Sequence, residues 1–124
     1  MSSRYLNEIM AVIFIELWTT IKFFFEKFYN DGKIVEALCQ IMKHFIRGLG
    51  TNFLPYIDQF FAIIINGYSN IPISSYLYSF EIVVTSYMNE VSIRDKIKNT
   101  LGLLCKQTLT YLPDLRNLLI IILI

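Results

Sequence analysis

The stretch K-I-V-E-A-L-C-Q-I-M-K-H-F-I-R-G-L, residues 33–49, decides the fold, because its polar and apolar residues separate at helical spacing. Ile34, Leu38, Ile41, Met42, Phe45 and Leu49 recur at intervals of three and four, while Glu36, Gln40, Lys43 and Arg47 form the opposite stripe. The neighbouring stretches, 16–30 and 54–69, are helical by the same period but carry more aromatic and branched residues and narrower polar faces. A central helix with one wet stripe between bulky neighbours implies a layered stack of helices.

Outward from this helix, the stops and starts have local causes. Residues 5–29 read as a helix, either continuous or broken near Ile15 and restarting at Glu16, with Leu17, Trp18, Ile21, Phe24, Phe25 and Phe28 as the apolar face of its second half. Asn30, Asp31 and Gly32 end it, since Asn and Gly accept the left-handed conformation that closes a helix and Asp can cap the next one. So short a connection folds the 33–49 helix back antiparallel.

Gly48–Gly50 close the central helix, Thr51 or Asn52 is placed to cap the next, and Pro55 suits its first turn. That helix, 54–68, carries Leu54, Ile57, Phe60, Phe61, Ile64, Ile65 and Tyr68. Ser74 or Ser75 opens a helix to residue 89, with Tyr76, Leu77, Phe80, Val83, Val84, Tyr87 and Met88 inward and Ser79, Ser86 and Asn89 on a polar stripe. Residues 80–85 are rich in β-branched side chains but lack the strict alternation of a strand. Ser92-Ile93-Arg94-Asp95 resembles a capping box and starts a helix over 92–111 through Ile97, Leu101, Leu104, Cys105 and Leu109. Pro113 interrupts it, and 114–124 reads as a sixth helical piece ending L-L-I-I-I-L-I.

A repeat underlies this order. A shift of forty residues lays Ile57, Phe61 and Ile64 over Ile97, Leu101 and Leu104, and one of thirty-six lays Ile21, Phe24 and Phe28 over Ile57, Phe60 and Ile64. Helix pairs at about this period are those of HEAT and armadillo solenoids. The expected fold is therefore all-α, a HEAT-like helical-repeat solenoid segment of about 2.5 to 3 antiparallel helix pairs, with residues 1–124 forming one segment of a longer solenoid.

Composition agrees. Apolar residues make up 55% of the chain and the mean hydropathy is +0.50, high for a small soluble domain. A helical unit that cannot bury its faces alone explains this, and such a chain needs flanking repeats or self-associates. Ten Phe and eight Tyr supply far more burial than a disordered chain has. A membrane-associated helical protein is the alternative, but the apolar runs 9–15 and 118–124 are short, and the charge-free run 59–80 is broken by Asn66, Gly67, Asn70 and Pro72. A span would also place Glu16, Lys43, Arg47, Asp58 and Glu81 in lipid. No signal peptide is evident.

The net charge of +1, with scattered basic residues, argues against direct nucleic-acid binding. Chemistry has little to work with. His44 is the single histidine, and Cys39, five residues before it on the same helix, points about 140° away. Cys39 and Cys105 form neither a metal spacing nor a disulfide framework and fit a reducing compartment. No phosphate loop appears, so neither an enzyme nor a bound cofactor is expected.

Reading E-L-W at 16–18, I-V-E-A-L-C-Q-I-M-K-H-F-I-R-G-L-G at 34–50, L-P-Y-I-D-Q-F-F-A-I-I-I-N-G-Y at 54–68 and S-S-Y-L-Y-S-F-E-I-V-V at 74–84, the chain resembles importin-β-type nuclear transport receptors, closest to the transportin-3 branch. The likeness covers residues 16–105, with Thr19 where that branch carries proline and a segment after Asn89 that looks shortened. It implies a protein-binding scaffold without catalysis, shuttling between nucleus and cytoplasm. For the full-length receptor it implies Ran GTPase, cargo protein and FG-nucleoporins as partners, with Ran contacts largely towards the N-terminal repeats. The branch's arginine-rich cargo helix is not in this stretch.

The second helix of each HEAT pair lines the concave face, so Glu36, Gln40, Lys43 and Arg47 are the candidate protein-binding surface. Trp18, Phe25, Leu38, Phe45, Phe61 and Phe80 are the expected core. Replacing Phe45 or Phe61 by Ala should cost about 3–5 kcal/mol in denaturant unfolding, and a loss below about 1 kcal/mol would put either ring on the surface.

Overall fold

The first helix, α1, runs unbroken over Ser3–Lys27, with no Gly or Pro inside it to interrupt the ladder at Ile15. The computed structural model describes residues 3–111, with side chains from residue 5, and over that range the chain forms helices and no strand. Asp31 then caps α2 (Gly32–Leu49): its backbone is extended, and its carboxylate accepts from the N–H groups of Lys33 and Ile34, each at 3.2 Å. At the other end Gly50 takes φ +57°, a conformation that would strain a side-chain-bearing residue, and its N–H donates to the Ile46 carbonyl.

A 3₁₀ segment, Gly50–Tyr56, holds Pro55 and leads into α3 (Ile57–Asn70). Helix α3 has no side-chain cap, so Thr51 and Asn52 lie exposed in the 3₁₀ segment and do not cap it. Helix α4 spans Ser74–Tyr87 behind Ile73, again without a side-chain cap, and a 3₁₀ turn at Val91–Ile93 precedes α5 (Arg94–Tyr111). Ser92 thus sits inside the turn. The sixth helical piece expected over 114–124 lies outside the described residues.

These helices form two layers. Helices α1, α3 and α5 lie side by side in one, and α2 and α4 in the other, with α1 packed on α2 and α3 on α4. Within a pair the helices are antiparallel, as Phe14 meets Phe45 and Phe61 meets Phe80. Within a layer they are parallel, as Asp58 meets Lys96 and Tyr68 meets Thr108. The described chain is therefore an all-α helical-repeat segment of two pairs and the first helix of a third.

Trp18, Phe25, Leu38, Phe45, Phe61 and Phe80 are buried. Phe14 is the hub, its ring within 5.8 Å of those of Trp18, Phe45, Phe53 and Tyr56. Helical period alone misplaces a few residues. On α2 the buried arc runs through Val35, Cys39 and Ile46, leaving Ile41 exposed. Leu17 and Phe24 on α1, Met88 after α4, and Leu101 and Cys105 on α5 are also exposed, because no neighbouring helix among the described residues covers those sides. Ser79, expected on a polar stripe, is buried where α4 meets α2, beside Cys39.

Hydrogen bonds between side chains and backbone tie the units together. Tyr76 Oη donates to the Tyr29 carbonyl (2.8 Å), Tyr87 Oη to that of Gly50 (2.7 Å), and Tyr111 Oη to those of Tyr68 and Ser69 (2.8 and 2.6 Å). Each acceptor lies at or just past the end of a helix, where carbonyls lack an intrahelical partner. Gly67 makes one of these ties possible. A Cβ there would fall 2.2 Å from Tyr76 Cζ, inside a ring that is fully buried.

Gly67→Ala should therefore lower stability by about 1–3 kcal/mol in urea unfolding, and shrinking the ring in the double variant Gly67→Ala/Tyr76→Leu should remove most of the extra cost of the alanine. Equal costs in both backgrounds would show that the ring does not set the requirement for glycine.

A pH dependence follows from the same burial. Desolvation pushes the Tyr76 hydroxyl from 10.0 to about 12, with Cys39 adding to the rise, and pushes the Cys39 thiol from 9.0 to about 11, against a lowering by Ser79 and with Glu36 raising it. Tyr87 is raised as well, by desolvation first and then by Glu90. Folding thus favours the protonated forms, a contribution complete below the unfolded values and lost as pH climbs through the folded ones. The urea midpoint should be insensitive to these groups from pH 7 to about 9 and fall above it, and Tyr76→Phe should flatten the fall between about 10 and 12.

Candidate protein-binding surface

Glu36, Gln40, Lys43 and Arg47 project from one side of α2, held in phase by the helix and by the burial of Val35, Leu38, Met42 and Ile46 on its other side. Glu36, Gln40 and Arg47 are exposed, and Lys43 is half-buried. Lys43 is less available than its position on the stripe implies. Its Nζ donates to Tyr78 Oη at 3.2 Å and stands 5.5 Å from the centre of that ring, so it joins α2 to α4.

Between these helices lies a shallow groove of about 330 Å³ lined by Glu36, Cys39, Gln40, Ser74, Ser75 and Tyr78. The structure thus sets Glu36 and Gln40 at one groove with Tyr78, and leaves Arg47 further along the same face. Ser74, Ser75 and Tyr78 were not readable as site residues. They come from a helix one unit later, and no local pattern marks which of its polar residues face α2.

A second groove, about 600 Å³, opens between α1 and α3, with Phe25, Tyr29 and Ile63 in its walls and Lys22, Glu26, Asn66 and Asn70 at polar positions. One wall is braced by Gln59, whose Oε1 accepts from Trp18 Nε1 and Lys22 Nζ, both at 3.0 Å. Helical period does not mark it. The signal available was the small side chain of Ala62 on the side of α3 that lines this groove.

Reactive groups are not gathered anywhere in the described fold. His44 is exposed while Cys39 is buried with its thiol held protonated, and no cluster of His, Cys, Asp and Glu among the described residues has the makings of a metal site. The arrangement supplies surfaces: a polar, weakly charged groove on the α2/α4 layer and a more apolar one on the α1/α3 layer.

No curated protein and no solved structure matches the chain. A family model described as the transportin-3/importin-13 fourth TPR domain matches residues 9–112, from the first helix to the end of α5, and the chain therefore belongs to the transportin-3/importin-13 family.

Proposed function

We propose that the chain is a protein-binding segment of a nuclear import receptor and serves Ran-dependent movement of protein between cytoplasm and nucleus, with the α2/α4 layer as its concave binding face. The family match over residues 9–112 carries this reading. On it, Glu36, Gln40 and Arg47 offer hydrogen bonds and charge of both signs to a partner, and Lys43 with Tyr78 keeps the two helices in fixed relation. A mixed, weakly charged face of this kind selects by matching polar groups more than by long-range attraction. Cargo protein is its preferred occupant. Ran and FG-nucleoporins belong to the longer receptor, a solenoid of which residues 1–124 form one segment.

The helices support this over a membrane-associated role. Among the described residues no helix is long and apolar enough to cross a membrane, and α1, the longest, carries Glu8, Glu16, Lys22, Glu26 and Lys27. The segment acts by binding, without catalysis or cofactor.

A fluorescently tagged receptor that contains this chain within its solenoid, added to permeabilised cells, should concentrate at the nuclear envelope or in the nucleus, in a way that changes with GTP-locked Ran and added cytosol. The triple variant Glu36→Ala/Gln40→Ala/Arg47→Ala should reduce that association about tenfold or more while leaving the unfolding free energy within about 0.5 kcal/mol of the parent. Unaltered association would remove the α2 face from the proposal, and association indifferent to Ran and cytosol would remove the transport role.

A further inference from the structure

The larger groove, between α1 and α3, carries a row of amide side chains whose hydrogen-bonding sense is largely fixed. Gln59, Asn66 and Asn70 line it and fall within about 40° of one another round α3, at about 100° per residue. Gln59 Oε1 accepts from Trp18 Nε1 and Lys22 Nζ, groups that can only donate, so its Nε2 remains to donate. Asn70 Nδ2 donates to the Asn66 carbonyl at 2.7 Å, which leaves Asn70 Oδ1 to accept. The Asn66 side chain has no hydrogen bond among the described residues and can do both.

A row that runs donor, donor with acceptor, then acceptor complements the edge of an extended main chain, which offers carbonyls and N–H groups in turn. From Asn66 to Asn70 the helix advances about 6 Å, close to the roughly 6.6 Å between like-facing residues of an extended strand. The whole row, Gln59 to Asn70, covers about 16 Å, the length of about five extended residues. The remaining lining adds side-chain contacts. Phe25 and Ile63 are apolar, while Glu26 on the α1 wall is exposed and has no ion pair among the described residues.

Stacking of units leaves this groove open. A preceding helical unit would pack on the side of α1 that carries Leu17 and Phe24, about 140–180° round the helix from Lys22 and Glu26. Helix α5 takes the other flank of α3, where Lys96 meets Asp58.

We infer that the α1/α3 groove binds an extended peptide segment of a partner protein by its main chain, with a basic residue of that segment against Glu26. The inference rests on the polarity and spacing of the amide row and stands whether or not the α2/α4 layer binds cargo.

The test uses a labelled, capped heptapeptide of alternating lysine and valine, the valines favouring the extended form and the lysines supplying the basic group. Fluorescence anisotropy should show it binding a receptor that contains this chain within its solenoid. Asn66→Ala should weaken binding about tenfold, and Ala62→Phe, which fills the groove, by more, with unchanged far-ultraviolet circular dichroism because both sites are exposed. Glu26→Gln should weaken the lysine peptide about fivefold and leave a serine–valine counterpart unaffected. The same lysine–valine peptide methylated at every main-chain nitrogen keeps its side chains and charge and should lose binding. A peptide that fails to bind the parent receptor, that binds as well when methylated, or that ignores Asn66→Ala and Ala62→Phe would overturn the inference.

Discussion

Tyrosine hydroxyls bonded to carbonyls at helix ends hold this structure in register. A helix leaves its last carbonyls without partners, and a stack of helices buries some of those ends against the next unit. Tyr76, Tyr87 and Tyr111 each reach back 37 to 47 residues to such a carbonyl, at Tyr29, Gly50, and Tyr68 with Ser69. The rings supply apolar burial and the hydroxyls satisfy acceptors that would otherwise be stranded. Trp18 with Gln59 and Lys96 with Asp58 bridge neighbouring units in the same sense, though the last pair is exposed and contributes little.

Much of this was legible in the residues because its causes are local. The Asn30-Asp31-Gly32 stop works through an Asp31 carboxylate within three residues of its donors, and the close of α2 through the positive φ of Gly50. The all-α repeat was legible from period alone. Other features were not legible, since period defines an apolar stripe without saying which neighbour covers it. Leu17, Phe24 and Leu101 have the right spacing for a core and lie on the surface. Ser79 has the chemistry of a surface and lies inside, and Gly67, which in the sequence only breaks a charge-free run, is a seat for a ring from the next helix.

The candidate binding face shows the same division. Glu36, Gln40, Lys43 and Arg47 stood out as a polar stripe because one helix carries them all. Lys43's engagement with Tyr78, 35 residues on, and the presence of Ser74 and Ser75 at the same groove depend on how α4 lies against α2. The partly apolar α1/α3 groove has the small Ala62 in its lining, and a short side chain leaves little trace in a hydropathy pattern.

The uniform reach of the ties has a consequence for how such a chain tolerates changes in length. Each donor is matched to an acceptor about one unit back, so adding or removing a whole unit hands every tyrosine an equivalent carbonyl and leaves the stack coherent. Losing two or three residues inside a helix does the opposite. It rotates every later donor by 200° or 300° about its helix axis, at about 100° per residue, and carries Tyr87 and Tyr111 away from Gly50 and Ser69 together. Length in this architecture is therefore quantised, permissive in steps of about forty residues and strict within them.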